Sequence, residues 1–241
     1  MFYPFRALPL LVGAFALVAV SPARADLVTN GTFETPVTGN FLDITAGSQP
    51  PGFGWVVTLG SVDVVVKGPL FASTAFEGNQ FLDLDGYAPG GIAQSFATTP
   101  GSEYFLSFAY ANNPQGNGVP PPTCPFGGAC ATIPANATVS VFDPATNTQL
   151  ITPLLVTHGD STVANPDWRT SGAIAFIATG TTTTLSFVSD DPASSDGGIF
   201  LDAVSVNRAA SAVPEPSSLV LLGTVAILGL LRKGFSRRTP T

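Results

Sequence analysis

Residues 182–207 read TTTLSFVSDDPASSDGGIFLDAVSVN, and this stretch decides the fold class. In its first part Leu185 and Phe187 flank Ser186, the two-residue period of a strand with one buried face. A glycine-containing loop follows, and then Ile199-Phe200-Leu201-Asp202-Ala203-Val204 is almost wholly apolar, as in a central strand covered on both sides. Asp202 stands out there, because a buried carboxylate needs hydrogen bonds, a cation or a proton.

The same texture extends outward along the chain. Val139 and Val141 flank Ser140, and turn signals recur at short intervals between runs rich in β-branched and aromatic residues. Strands are expected at 26–33, 54–59, 62–67, 80–84, 91–97, 103–111, 138–143, 150–158, 168–178, 182–189 and 198–207. With 25 glycines and 22 prolines breaking the 3.6-residue period, no long helix is expected between the two ends of the chain. The expected fold is all-β, an antiparallel β-sandwich of jelly-roll type.

Charge is segregated. The 241 residues carry a net −7, yet residues 26–212 hold fifteen carboxylates against only Lys67, Arg169 and Arg208, a charge of −12. Such a domain does not bind nucleic acid by neutralising phosphates. A single histidine, His158, argues against a histidine metal cage or relay, and its place before Gly159-Asp160 reads as a surface residue beside a turn. Only 10% of residues are charged, which disfavours coiled coils and helical bundles.

The two ends read as addresses. Residues 1–25 combine Arg6, an apolar run over 8–20 and Ala23-Arg24-Ala25, the pattern of a Sec signal peptide cut before Asp26. The alternative is an N-terminal membrane anchor, for which the apolar run is short. In residues 213–241, Pro214-Glu215-Pro216 precedes an apolar segment over 217–231 and the basic cluster Arg232, Lys233, Arg237 and Arg238. The prolines interrupt a helix, the basic cluster favours a cytoplasmic end, and the segment is short against the roughly 20 residues of a span. This tail resembles the PEP-CTERM sorting signal. The resemblance implies an exosortase as processing partner, transient anchoring in the inner membrane by the C-terminal helix, and delivery to the surface or exterior of a Gram-negative cell that makes exopolysaccharide. An ordinary C-terminal anchor is the alternative.

Within the domain, 114–134 reads as an insertion loop carrying both cysteines. Cys124 and Cys130 are expected to form a disulfide in an exported protein, since thiol metal binding would need further ligands. Around this loop stand Leu27-Val28-Thr29-Asn30-Gly31-Thr32-Phe33-Glu34, Gly52-Phe53-Gly54-Trp55, Glu77-Gly78-Asn79-Gln80-Phe81-Leu82-Asp83-Leu84-Asp85-Gly86, Gly91-Ile92-Ala93-Gln94-Ser95-Phe96 and the apolar run from Ile199. Their order resembles DUF642 proteins and, more distantly, galactose-binding-like jelly rolls including carbohydrate-binding modules. The resemblance implies a structural calcium bridging the opening and closing strands, with Glu34 and Asp202 as carboxylate ligands and carbonyls near Thr32 and Asn79 assisting. Ala203 stands where the family commonly has a second acidic residue, and the alternative is that both carboxylates accept backbone hydrogen bonds.

Two further acidic groups carry open readings. Asp83 and Asp85 lie two apart, and Asp190, Asp191 and Asp196 share a loop. They read as a second calcium site, as glycosidase acid/base carboxylates, or as turn-capping aspartates. No Gly-x-Ser-x-Gly elbow and no phosphate-binding loop occurs. For carbohydrate recognition, which needs aromatic faces beside planar polar groups, the aromatic candidates are Trp55, Tyr87, Tyr110 and Trp168, with Gln115 and Arg169 near two of them; Tyr110, Asn112, Asn113 and Trp168 are the expected ligand-binding residues, and Trp55 reads more readily as core. The expected function is an exported, non-catalytic surface or biofilm-matrix protein associated with extracellular polysaccharide. The alternatives are a purely structural or adhesive protein and a secreted glycosidase.

Overall fold

The computed structural model describes residues 25–69, 71–114, 134–193, 195 and 197–210. The signal segment, the cysteine pair, Gln115, Asp196 and the sorting tail lie outside these residues.

The described residues form β1 (Phe41–Thr45), β2 (Val56–Leu59), β3 (Ser61–Val66), β4 (Gln80–Asp83), β5 (Gly91–Ala97), β6 (Glu103–Asn112), β7 (Ala135–Asp143), β8 (Thr148–Gln149), β9 (Leu154–His158), β10 (Arg169–Thr170), β11 (Ile174–Ile177), β12 (Thr182–Ser189) and β13 (Ile199–Arg208). A seven-stranded sheet has the order β1-β3-β4-β13-β6-β10, with β11 also on β6. A six-stranded sheet has the order β2-β5-β12-β7-β8, with β9 also on β7. Every pairing is antiparallel, so the fold is the expected all-β jelly-roll sandwich.

Four expectations about strands are corrected. Residues 26–33 are not a strand: Asn30 and Phe33 take positive φ angles of 51° and 53°, which curl the segment. It touches β13 through Leu27 N–H to Val206 C=O and Val204 N–H to Gly31 C=O. The run 150–158 becomes a strand only from Leu154, because Pro153 has no N–H to donate. The run 168–178 divides into β10 and β11 around Gly172, whose φ of 69° leaves the extended region. β1 was not anticipated; it pairs along its whole length with β3.

The central strand β13 lies between β4 and β6 and contributes to two apolar clusters. Ile199, Leu201, Val204 and Val206 enter the core between the sheets, while Phe200 packs on the opposite face with Phe81, Val65 and Ala111. Odd residues cannot share a face with even ones along a regular strand. One extra residue resolves the conflict: Ala203 adopts a φ of 48°, and the register against β6 shifts between Asp202 and Ser205. At this bulge Gly31 lies against the strand, and a Cβ on it would fall 1.9 Å from the Val204 carbonyl oxygen, so no larger residue fits there. The core beneath is aromatic, with Trp55 fully buried against Phe33 and Phe187 at centroid distances of 5.9 and 6.1 Å.

The bulge and the loop 76–80 are fastened by two carboxylates. Asp202 Oδ2 accepts the Glu77 amide at 2.8 Å and Oδ1 accepts the Ala203 amide at 2.7 Å. Glu34 Oε1 accepts the amides of Asn79 and Gln80 at 2.7 and 2.8 Å. Elsewhere in the same sheet Asp43 stands opposite Asp63, and Asp63 opposite Asp83. Like charges directly opposite are destabilising. Burial first, and then the Asp43 charge, raises the Asp63 pKa to about 7.

Asp202→Ala, which strands two amides, is expected to destabilise the domain by about 2–4 kcal/mol in urea unfolding. For Asp63 the unfolded chain releases its proton near pH 3.8 and the folded chain near 7, so between those values the folded state binds more protons. Stability from this group therefore falls as pH rises through that window. Urea titrations across the window should show a flatter slope for Asp63→Asn, and an unchanged slope would remove Asp63 as its source.

Candidate functional site

The clasp residues sit where the bulged strand meets the opening segment. Asp202 is fully buried and its pKa is raised to about 7 by burial, against the lowering effect of the amides it accepts. Amide N–H groups point at Glu34 Oε1 and at both Asp202 oxygens, and among the described residues no three His, Cys, Asp or Glu side chains gather in metal-binding geometry. This donor set fits the hydrogen-bonding role, the alternative to calcium raised by the sequence.

At the end of β6 the chain builds a buried polar cluster. Asn112 and Asn113 are both buried, at 0% and 2% exposure, and so form no open rim. His158 is also buried, which corrects the expectation of a surface histidine. Its Nδ1 lies 2.6 Å from Asn112 Oδ1, an oxygen that also accepts the Ser161 amide at 3.1 Å. Since that oxygen can only accept, Nδ1 carries the proton. His158 Nε2 faces Asp167 Oδ2 at 3.3 Å. Burial, then the Arg169 charge, lowers the histidine pKa, with Asp167 and Asp160 opposing.

Ser161 Oγ is 3.5 Å from His158 Nδ1, so Ser161, His158 and Asp167 stand close together. The wiring differs from a nucleophile relay, in which the serine proton passes to the histidine. Here the Ser161 hydroxyl donates to the Pro166 carbonyl, and its oxygen accepts the Asn112 amide. The cluster joins β6, β9 and the loop 159–168 rather than presenting a reactive hydroxyl. A lone histidine gives no sign of this in the sequence, because its partners lie up to 46 positions away.

The aromatic candidates separate onto different faces. Tyr110 packs toward the core between the sheets, edge-on to His158 at 6.0 Å. Trp168 lies on the outer face of the seven-stranded sheet with Phe81 and Phe200. Its indole N–H donates to the Thr74 carbonyl at 3.0 Å, and Phe76, 46% exposed, meets it edge-on at 6.2 Å. Next along the chain, the Arg169 guanidinium is held by Asp160 and Asp167 at 2.6 and 3.0 Å. Trp168 and Phe76 thus form a fixed, half-open aromatic shelf. Phe76 was not among the sequence candidates; a lone phenylalanine in a loop carries no periodic signal. Trp55 is in the core as expected, and Tyr87 is exposed but away from these contacts.

Of the acidic groups, Asp83 and Asp85 are buried beneath the surface. Asp83 Oδ1 accepts the Asp85 and Gly198 amides and Oδ2 the Asn113 side-chain amide. Burial and the Asp85 charge push the Asp83 pKa well up. In the loop that follows β12, Asp190 accepts the Thr138 hydroxyl and Asp191 the amides of Asn136. A separate groove of about 440 Å³, lined by Glu103, Gln149, Leu150, Phe176 and Ile177, opens at the other end of β6.

No curated protein matches the sequence. Among solved structures, TmCBM61 in complex with β-1,4-galactotriose is 13% identical with a TM-score of 0.45, over 77% of this chain and 99% of that one. The CBM22-1 xylan-binding domain of Paenibacillus barcinonensis Xyn10C is 16% identical with a TM-score of 0.43, over 80% and 100%. A family 35 carbohydrate-binding module from Clostridium thermocellum is 15% identical with a TM-score of 0.38, over 70% and 98%. The family model described as "Protein of unknown function (DUF642)" matches residues 26–206, nearly the whole of the sandwich, and the chain belongs to the DUF642 family.

Proposed function

We propose that this is an exported, non-catalytic protein of the cell surface or extracellular matrix, whose sandwich associates with polysaccharide through the Trp168 shelf. The observation that carries the reading is the fixed orientation of Trp168, held by its N–H bond to Thr74 and by ring contacts with Phe81 and Phe200. An aromatic face held before binding loses little entropy when a sugar C–H patch settles on it. The exposed edge of Phe76 widens that face. Of the expected ligand-binding residues Trp168 alone contributes to this surface, while Tyr110, Asn112 and Asn113 hold its support in place.

Export rests on the sequence at both ends. The signal-type N-terminus and the Pro214-Glu215-Pro216 tail with its apolar segment and basic end support Sec export, transient membrane anchoring and exosortase processing.

Retention of the full chain in gels containing matrix polysaccharides should be strong for the wild type and weakened about tenfold or more in a Phe76→Ala, Trp168→Ala variant of unchanged circular dichroism. Undiminished retention would overturn the shelf, and no retention on any polysaccharide would favour the purely structural reading. On co-expression with an exosortase, the protein recovered outside the cell should end near Pro214 by mass spectrometry. A chain still ending at Thr241 there would overturn the processing.

A further inference from the structure

Asp85 is the most exceptional carboxylate in the sandwich. It is 0% exposed, and neither Oδ1 nor Oδ2 receives a hydrogen bond. A buried carboxylate without hydrogen bonds or a counter-charge is strongly disfavoured. Among the described residues no basic side chain compensates it: Lys67 is engaged with the Gly78 carbonyl, Arg169 with Asp160 and Asp167, and Arg208 with Ser102. The sequence supplies none in the insertion either, as 114–134 contains no Lys, Arg or His.

The carboxylate lies against the loop between β12 and β13. A Cβ on Gly198 would sit 2.6 Å from both Asp85 Oδ1 and its carboxyl carbon, so Asp85 presses directly on that backbone, which only glycine allows. From the same loop come buried Asp191 and Ser195, and from the end of β12 buried Ser189. Ser189 Oγ accepts the Asp191 amide at 3.2 Å and Ser195 donates to the Gly197 carbonyl at 3.1 Å, which gathers these groups beside Asp85. Burial raises the Asp85 pKa, with the Ser189 and Ser195 hydroxyls and the Gly90 amide lowering it and the Asp191 charge raising it, while neither carboxylate oxygen receives a hydrogen bond. Asp83, by contrast, is saturated by amide donors on both oxygens and serves to position Gly198 and Asn113.

The geometry points to a divalent-cation site at the Asp85 carboxylate, where both of its oxygens, a second carboxylate from Asp191 and the hydroxyls of Ser189 and Ser195 converge. The donors are all oxygen, two of them carboxylate groups, and they come from an irregular loop and a strand end. That set suits calcium, which accepts six to eight oxygens in flexible geometry and completes its shell with water or backbone carbonyls. The ion would tie the segment just after β4 to the loop before the central strand, apart from the Glu34 and Asp202 clasp. Without it the carboxylate bears the cost of burial, which raises its pKa to about 6.

The test is calcium titration of the purified, chelator-stripped full chain near neutral pH, by calorimetry and thermal unfolding. Calcium should bind and, a hundredfold above its Kd, raise Tm by about 5 °C or more. Asp85→Asn should abolish both effects, and Ser195→Ala should weaken binding severalfold even if the first variant folds poorly. Glu34→Gln should bind as the wild type does. No binding to the wild type would overturn the site. Binding that survives Asp85→Asn, or that is lost in Glu34→Gln instead, would overturn it equally and move the ion elsewhere.

Discussion

The sandwich depends on accommodating one strand whose side chains are out of phase with themselves. Ile199 and Leu201 demand one pleat and Val204 and Val206 the other, so β13 can feed a single core only with an extra residue between them. The bulge at Ala203 supplies it, at the cost of a left-handed backbone on a residue with a Cβ. Gly31 approaches closely enough to bond the Val204 amide there, and Asp202 turns its carboxylate to the Ala203 and Glu77 amides. Through this one irregularity the opening segment, the closing strand and the loop 76–80 are held together.

The acidity of the domain has a different meaning once folded. Fifteen carboxylates against three basic residues suggests a soluble acidic surface. Yet Asp83, Asp85, Asp191 and Asp202 are buried, and Asp63 is largely so. Most of these accept backbone or side-chain amides, which is how a chain poor in basic residues satisfies the ends of its loops without salt bridges. Where amides run out, at Asp85, either a proton or a cation must take their place. Among the described residues the two ion pairs, of Arg169 with Asp160 and with Asp167, gather instead beside buried His158.

That charged group and the Trp168 shelf share the loop 159–168, so structural and surface roles are adjacent. Buried Asn112, His158 and Ser161 hold the loop to β6 and β9, and Trp168 emerges from its far end against Phe81 and Phe200. An aromatic face positioned in this way is held by the sheet beneath it, which is the physical basis for the binding role proposed for it.

By itself the sequence determined the fold class, because alternation such as Leu185-Ser186-Phe187 has the period of a strand and of nothing else. It also determined the burial of Asp202 and Trp55, each embedded in an apolar run or beside glycine turns. The strands β5 and β12 fall where that alternation places them. The breaks at Pro153 and Gly172 are legible too, though only once a missing donor or a left-handed φ is weighed against continuing β propensity. Tertiary structure alone decided which polar residues meet. His158 is buried because Asn112, 46 residues away, offers an acceptor, and Asp85 meets Ser189 from the end of β12 and Ser195 and Asp191 from the loop after it. It also put Tyr110 and Trp168 on opposite faces of one sheet. These outcomes follow from sheet register and from contacts distant along the chain, which local composition does not encode.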